Sequence, residues 1–227
     1  MATYVLVHGA WHGGWCWRLV ADRLRRAGHQ VFTPTLTGLG ERAHLLTADT
    51  GLQTHVADVM GVLRSEDLRD VVLVGHSYAG FVVREVADRM PERIARLVLV
   101  DAWVGRDGES LRDRAPEFFL NWIDSVTKEG VIPVAPPATV GVVEPDQVAW
   151  LESSLTPHPH RTFSDPTRLS GAVDAIPCRA VLCTPGGPMP FPRFAKEFGW
   201  DTTELDVGHD AMVTAPEALA GILLEDA

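Results

Sequence analysis

Short runs of consecutive apolar residues alternate along the chain with longer stretches whose apolar residues recur every three or four positions. Tyr4–Val7, Val31–Thr33, Val71–Val74, Ile94–Val100 and Ala180–Cys183 are of the first kind and predict strands. Trp17–Ala27, Gln53–Ser65 and Pro216–Leu224 are of the second kind and predict helices. Within Gln53–Ser65 the periodic set is Val56, Val59, Met60 and Leu63, and Gly28 stands where a helix ending at Ala27 needs a C-terminal glycine. Phe81–Met90 predicts a further helix, and Thr203–Val207 a last strand. Strands buried on both faces read as unbroken apolar runs, and strands separated by helices form parallel sheets. The expected fold is therefore α/β, a mostly parallel sheet with helices on both faces, in a single domain over residues 1–227.

In such a sheet, functional groups gather at the carboxyl ends of the strands. Four chemically suggestive residues fall there: His8, Ser77, Asp101 and His209. The alternation fails between about residues 103 and 170, where prolines mix with helix-like pieces and Trp103, Phe118, Phe119, Trp122 and Trp150. That segment is expected to be an inserted cap over the strand ends, with some of its aromatics facing a pocket.

Composition narrows the class. At 227 residues and 46% hydrophobic, the chain can bury a sizeable core, yet no apolar run approaches the roughly 18–20 residues that span a bilayer. A strand begins almost at the first residue, without a basic leader, so a cytoplasmic location is the expectation. A net charge of −10 opposes binding to nucleic acid or acidic membranes. Cys16, Cys178 and Cys183 are odd in number and lack metal-ligand spacing, which suits reduced, mostly buried thiols. No cofactor is expected, since neither a phosphate loop nor a dinucleotide fingerprint occurs. His8, His12 and His76 could approach one another, but their spacing does not mark a metal site. His158 and His160, in a proline-rich stretch, read as solvated.

The chemistry concentrates in Gly75-His76-Ser77-Tyr78-Ala79-Gly80, between a strand and a helix. A serine on so sharp a turn is exposed above the sheet, with helix N–H groups beside it. Serine is a weak nucleophile and needs an imidazole to take its proton and a carboxylate to orient that imidazole. His209, after Val207-Gly208, is the candidate base. Thr184–Pro190, after the strand Ala180–Cys183, has no carboxylate, so Asp101 is the candidate acid. The order Ser77, Asp101, His209 is one that this architecture uses. A serine–histidine dyad is the alternative. The backbone N–H groups of Tyr78 and Ala10 are the candidate oxyanion donors. Trp11 and His12 of the glycine-rich loop, and Trp103, are candidate substrate contacts.

His8-Gly-Ala-Trp-His-Gly-Gly-Trp-Cys-Trp17 and Gly75-His-Ser-Tyr-Ala-Gly80 together resemble the α/β-hydrolase superfamily. The nearer resemblance is to its small esterase and hydroxynitrile-lyase branch, which includes plant methyl-ester hydrolases. Gly208-His-Asp-Ala-Met212 and the segment Leu155–Phe163 agree with it. The resemblance implies an α/β-hydrolase fold with a helical cap, Ser77 as nucleophile, His209 as base, and Ala10 and Tyr78 as oxyanion donors. The branch's usual acid position is unmatched. Lyases of the branch have threonine at position 9 and lysine at position 210, where this chain has Gly9 and Asp210. The expected activity is hydrolysis of a small, largely apolar carboxylic ester by a monomer or homodimer. The alternatives are a lyase, thioesterase or cyclase on the same pocket, or a catalytically weak small-molecule binding protein.

Overall fold

A computed structural model describes residues 1–184 and 187–226. Pro185 and Gly186, in the stretch that lacks the usual acid, lie outside the described residues. In chain order the elements begin with β1 (Thr3–Val7), α1 (Arg18–Arg26), β2 (Gln30–Phe32), α2 (Leu52–Ser65), β3 (Val71–His76), α3 (Ala79–Arg89) and β4 (Ile94–Val100). They continue with α4 (Leu111–Arg114), α5 (Glu117–Val126), β5 (Val131–Ile132), α6 (Pro145–Ser154), β6 (His158–Pro159) and α7 (Arg161–Ser164). The chain closes with β7 (Cys178–Cys183), α8 (Phe191–Phe198), β8 (Asp201–Leu205), α9 (Ala211–Thr214) and α10 (Pro216–Leu224).

Six strands form one sheet in the order β2-β1-β3-β4-β7-β8, with every neighbouring pair parallel. Successive residues of a strand face opposite sides, and here both sides are covered. Val5, Val7, Leu73, Leu97 and Leu99 enter one core with residues of α2, α3 and α8. Tyr4, Leu6, Val72, Val74, Val98, Val100 and Val181 enter the other with residues of α1, α9 and α10. Two buried faces explain why the inner strands are mostly apolar, whereas the edge strand β8 is not.

Several boundaries differ from the sequence pattern by one or two residues. The turn Gly14–Trp17 is a 3-10 turn, so α1 begins at Arg18. β3 runs on through Gly75 and His76, which pair with Leu99 and Val100, so the strand ends directly at Ser77. β8 lies two residues earlier than its apolar signal, because its register on β7 pairs Asp201 with Arg179 and ends at Leu205.

The segment between β4 and β7 carries α4–α7 and a two-stranded antiparallel ladder, β5 with β6. That ladder corrects one expectation. His158 pairs with Ile132 and is fully buried, not solvated. Its Nδ1 accepts the Trp11 N–H at 3.3 Å and its Nε2 lies 2.8 Å from Thr162 Oγ1, so it ties this segment to the loop after β1. Asp88 on α3 anchors the segment's far end by accepting backbone N–H bonds from Ser170, Gly171 and Val173 at 2.6–3.1 Å. No helix among the described residues is long and apolar enough to cross a membrane.

Candidate active site

β3 delivers Ser77 at φ +52°, in the left-handed region that a side chain tolerates only when the surroundings impose it. They do so here through both peptide groups. The Ser77 N–H donates to the Val100 carbonyl at 3.1 Å, and the Ser77 carbonyl accepts from the Trp103 N–H at 2.9 Å. The flanking glycines permit close approach. A Cβ on Gly75 would lie 2.6 Å from Val83 Cγ2, and one on Gly80 would fall on the Trp103 carbonyl oxygen. Ala79, standing where a second motif glycine is usual, fits fully buried. Ser77 Oγ has no hydrogen-bond partner among the described residues, and Ser77 lines a cavity.

β4 ends one residue before Asp101, which also has positive φ, +44°. Its N–H donates to the Val181 carbonyl at 2.8 Å, and its Oδ1 accepts the Cys183 N–H at 2.9 Å. The other oxygen, Oδ2, lies 3.0 Å from His209 Nδ1. The carboxylate thus holds a proton on Nδ1 and leaves Nε2 as the basic nitrogen. The His209 loop is fixed from several sides. Its carbonyl accepts from His76 Nε2 at 3.0 Å, and Phe191 stacks on the ring at 5.4 Å and 9°. Gly208 packs on Gly141 so closely that a Cβ would meet the Gly141 Cα at 2.8 Å. His209 lines the same cavity as Ser77.

The loop after β1 aims one N–H at this cavity by pinning the other end of its peptide. His8 Nδ1 donates to the Gly9 carbonyl at 2.8 Å, and His8 Nε2 accepts the Leu36 N–H at 3.0 Å. Burial pushes His8 down to about 3, so it is neutral with its one proton on Nδ1. In a trans peptide the C=O and N–H point oppositely, so fixing the Gly9 carbonyl on His8 turns the Ala10 N–H away from it. Ala10 and Tyr78 both line the cavity, and among the described residues neither backbone N–H has a protein acceptor. The Tyr78 hydroxyl is occupied elsewhere, 2.9 Å from His55 Nδ1.

The cavity holds about 610 Å³. Trp11, Trp103, Phe118, Phe119, Trp122, Phe163, Met189 and Phe191 wall it, and Ser77, His209 and Asp101 lie on its polar side. One expectation needs correction. His12 is 3% exposed and is not a cavity wall, because its ring is turned into the protein to meet the Ala10 carbonyl and Asp210. Trp150 packs on Trp15 at 5.4 Å and under the Arg18 guanidinium, away from the cavity. Phe163, Met189 and Phe191 were not singled out from sequence, since a lone aromatic or methionine beside prolines carries no periodic signal.

Cys16 and Cys183 are buried, and burial raises both thiols. Donor atoms of His76, His209 and Asp210 lie within 4.8 Å of one another. His76 Nε2 is bonded to a carbonyl and His209 Nδ1 to Asp101, so the group reads as a hydrogen-bonded network.

Comparison with known proteins places the chain in a family and bears out the fold. The family described as "Alpha/beta hydrolase family" matches residues 4–222. A carbendazim hydrolyzing esterase from Nocardioides sp. (strain SG-4G) is 40% identical over 235 residues, 97% of each chain. Methyl jasmonate esterase 1 of Vitis vinifera is 35% identical over 102 residues, 44% of this chain and 39% of that one. Among solved structures, an extracellular alpha/beta-hydrolase from a Paenibacillus species superposes with a TM-score of 0.89 at 24% identity, covering 99% of this chain and 98% of that one. The Arabidopsis methylesterase MES16 superposes at 0.80 with 21% identity, covering 100% and 98%.

Proposed function

Because the chain belongs to the α/β-hydrolase family, we propose that it is a cofactor-free serine esterase, acting through an acyl-enzyme on a small, largely apolar carboxylic ester. In this reading the whole chain is one domain and segment 103–170 its cap. The observation that carries the proposal is the Asp101 carboxylate 3.0 Å from His209 Nδ1, with His209 and Ser77 on one cavity.

His209 Nε2 takes the Ser77 proton as Oγ attacks the ester carbonyl, and Asp101 stabilises the imidazolium that results. The tetrahedral oxyanion accepts from the Ala10 and Tyr78 N–H groups, which require no reorganisation at that moment. His209 then passes the proton to the leaving alcohol, and a water activated by the same nitrogen releases the acid.

The walls support a flat or hydrocarbon acyl group, since eight of the lining side chains named above are aromatic or methionine. The most similar full-length relative described above is a carbendazim esterase, so an aromatic methyl carbamate belongs beside simple aromatic methyl esters as a trial substrate. Lyase chemistry is disfavoured by position 9, where a Cβ would stand 2.9 Å from Ser77 Cβ and from His76 Nδ1. It is disfavoured too by the acidic Asp210 after His209, which supplies no cation for a departing anion. Three free cysteines suit a reducing compartment, and a cytoplasmic location is part of the proposal.

The test is a panel of p-nitrophenyl, aromatic methyl ester and methyl carbamate substrates, with Ser77→Ala as control. Hydrolysis by the native chain that falls by about 10³-fold or more in the variant is expected. Undiminished hydrolysis by Ser77→Ala would sink the proposal, and binding without turnover would favour the binding-protein alternative.

A further inference from the structure

Behind the cavity runs a buried polar chain that no step above uses. His12 Nδ1 lies 2.7 Å from the Ala10 carbonyl and His12 Nε2 lies 3.0 Å from Asp210 Oδ2. A carbonyl oxygen can only accept, and an ionised carboxylate can only accept, so His12 donates through both nitrogens and carries a positive charge. Asp210 is fully buried, follows His209 directly, and holds its own N–H on the Val140 carbonyl at 3.2 Å. Among the described residues its Oδ1 has no hydrogen-bond partner, and it lies 3.8 Å from His76 Nε2, the same nitrogen that donates to the His209 carbonyl. The chain therefore runs from the carbonyl of Ala10 to the carbonyl of His209.

We propose that the buried His12–Asp210 ion pair, with His76, is a positioning clamp that locks the loop of the oxyanion donor Ala10 to the loop of His209. The inference rests on the roles given to Ala10 and His209 above. None of the three residues lines the cavity, so they act through others. The clamp has two arms on the loop after β1. The Ala10–Trp11 peptide is held at its carbonyl by His12 and at its N–H by His158, and Trp11 is left at φ +65°. A bound imidazolium is also stacked on Trp15 at 5.5 Å and 28°, which fixes its plane.

The charges agree with this reading. Burial opposes a charge on His12, but the Asp210 carboxylate outweighs it and raises the imidazole above its usual value. Burial likewise opposes the charge on Asp210, and His12 beside it prevails and holds the carboxyl low. The other titratable groups facing the pair are His8, His76 and His158, all driven neutral by burial, with His209 and Cys16 near Asp210.

Two readouts test the clamp. The first is independent of turnover: ¹⁵N ring shifts of the nine histidines in the Ser77→Ala protein. One histidine with both ring nitrogens protonated near pH 8, lost on adding Asp210→Ala, is expected. A spectrum with no imidazolium at that pH would overturn the ion pair, whatever the fate of the serine-esterase reading. The second is kinetic. Asp210→Ala should lower kcat by on the order of 10²-fold, as small displacements of catalytic groups do, with KM within about threefold. Asp210→Asn, whose amide can still meet the His12 ring as a neutral pair, should recover activity to within about fivefold of native. A native kcat in a folded Asp210→Ala protein, a loss carried by KM, or an Asn variant as impaired as the Ala variant would each overturn it. Folding of each variant is checked by its near-UV spectrum.

Discussion

Replacing Asp101 with asparagine tests the least conventional part of the site. Its two oxygens have different partners: Oδ1 accepts the Cys183 N–H at 2.9 Å, and Oδ2 faces His209 Nδ1 at 3.0 Å. Asparagine offers one acceptor and one donor group. The Cys183 N–H is a buried backbone donor that must be satisfied, so the amide oxygen turns to it and the NH₂ turns to His209. That arrangement forces Nδ1 to accept and moves the imidazole proton to Nε2, the nitrogen proposed to take the Ser77 proton, which would block general-base action. The same inversion in a serine triad lowers turnover by about 10⁴-fold. Such a factor corresponds to roughly 5.5 kcal/mol of transition-state stabilisation at about 1.4 kcal/mol per decade. Steady-state hydrolysis of a p-nitrophenyl ester measures it, with KM expected near the native value. Asp101→Ala, which permits either tautomer, should be no worse than Asp101→Asn. A loss under tenfold for Asp101→Asn would refute the reasoning and leave a Ser77–His209 dyad.

Two further outcomes follow from packing and charge. Gly9→Ala places a Cβ 2.9 Å from both Ser77 Cβ and His76 Nδ1, so kcat should fall by on the order of 10²-fold and stability by about 1–3 kcal/mol; an unchanged kcat would show that the oxyanion loop has slack. Asp88 is buried, which opposes its charge, yet backbone N–H bonds from Ser170, Val173 and Gly171 prevail and hold its carboxyl below the usual range. A depressed carboxyl contributes stability that is present above the unfolded value near 4 and is lost as pH falls. Asp88→Ala should therefore destabilise the protein by about 2–3 kcal/mol near pH 7, leaving three donors unpaired, and should shrink the difference between melting curves at pH 7 and pH 3. An acid limb as steep as the native one would contradict that assignment.

The strands were legible because the sheet is covered on both sides: Ile94–Val100 matches its apolar run residue for residue. β8 was misplaced by two residues because it is an edge strand, Asp201-Thr-Thr-Glu-Leu205, whose side chains are largely exposed and whose pattern is polar. Ser77, Asp101 and His209 could be picked out by their places at strand ends, but the 3.0 Å contact between the last two joins residues 108 positions apart. Asp210, next to His209 in sequence, turns its carboxylate to a different histidine. What it turns toward, His12, is 198 residues distant and leaves no local trace. His158 was misread because flanking prolines suggest an exposed loop, whereas an antiparallel rung to Ile132 buries it. His12 erred in the same way. A polar side chain in a glycine-rich loop suggested a ligand contact, and a buried carboxylate claimed it instead.

Ser77 Oγ, which has no hydrogen-bond partner among the described residues and belongs to a residue lining the cavity, is the atom proposed to be acylated. Mass spectrometry of the intact protein after exposure to a fluorophosphonate, followed by peptide mapping, tests this directly. A single stoichiometric adduct on Ser77, absent from Ser77→Ala and slowed in Asp101→Asn, is expected. An unmodified Ser77 in a protein that still hydrolyses esters, or an adduct on another residue, would contradict it.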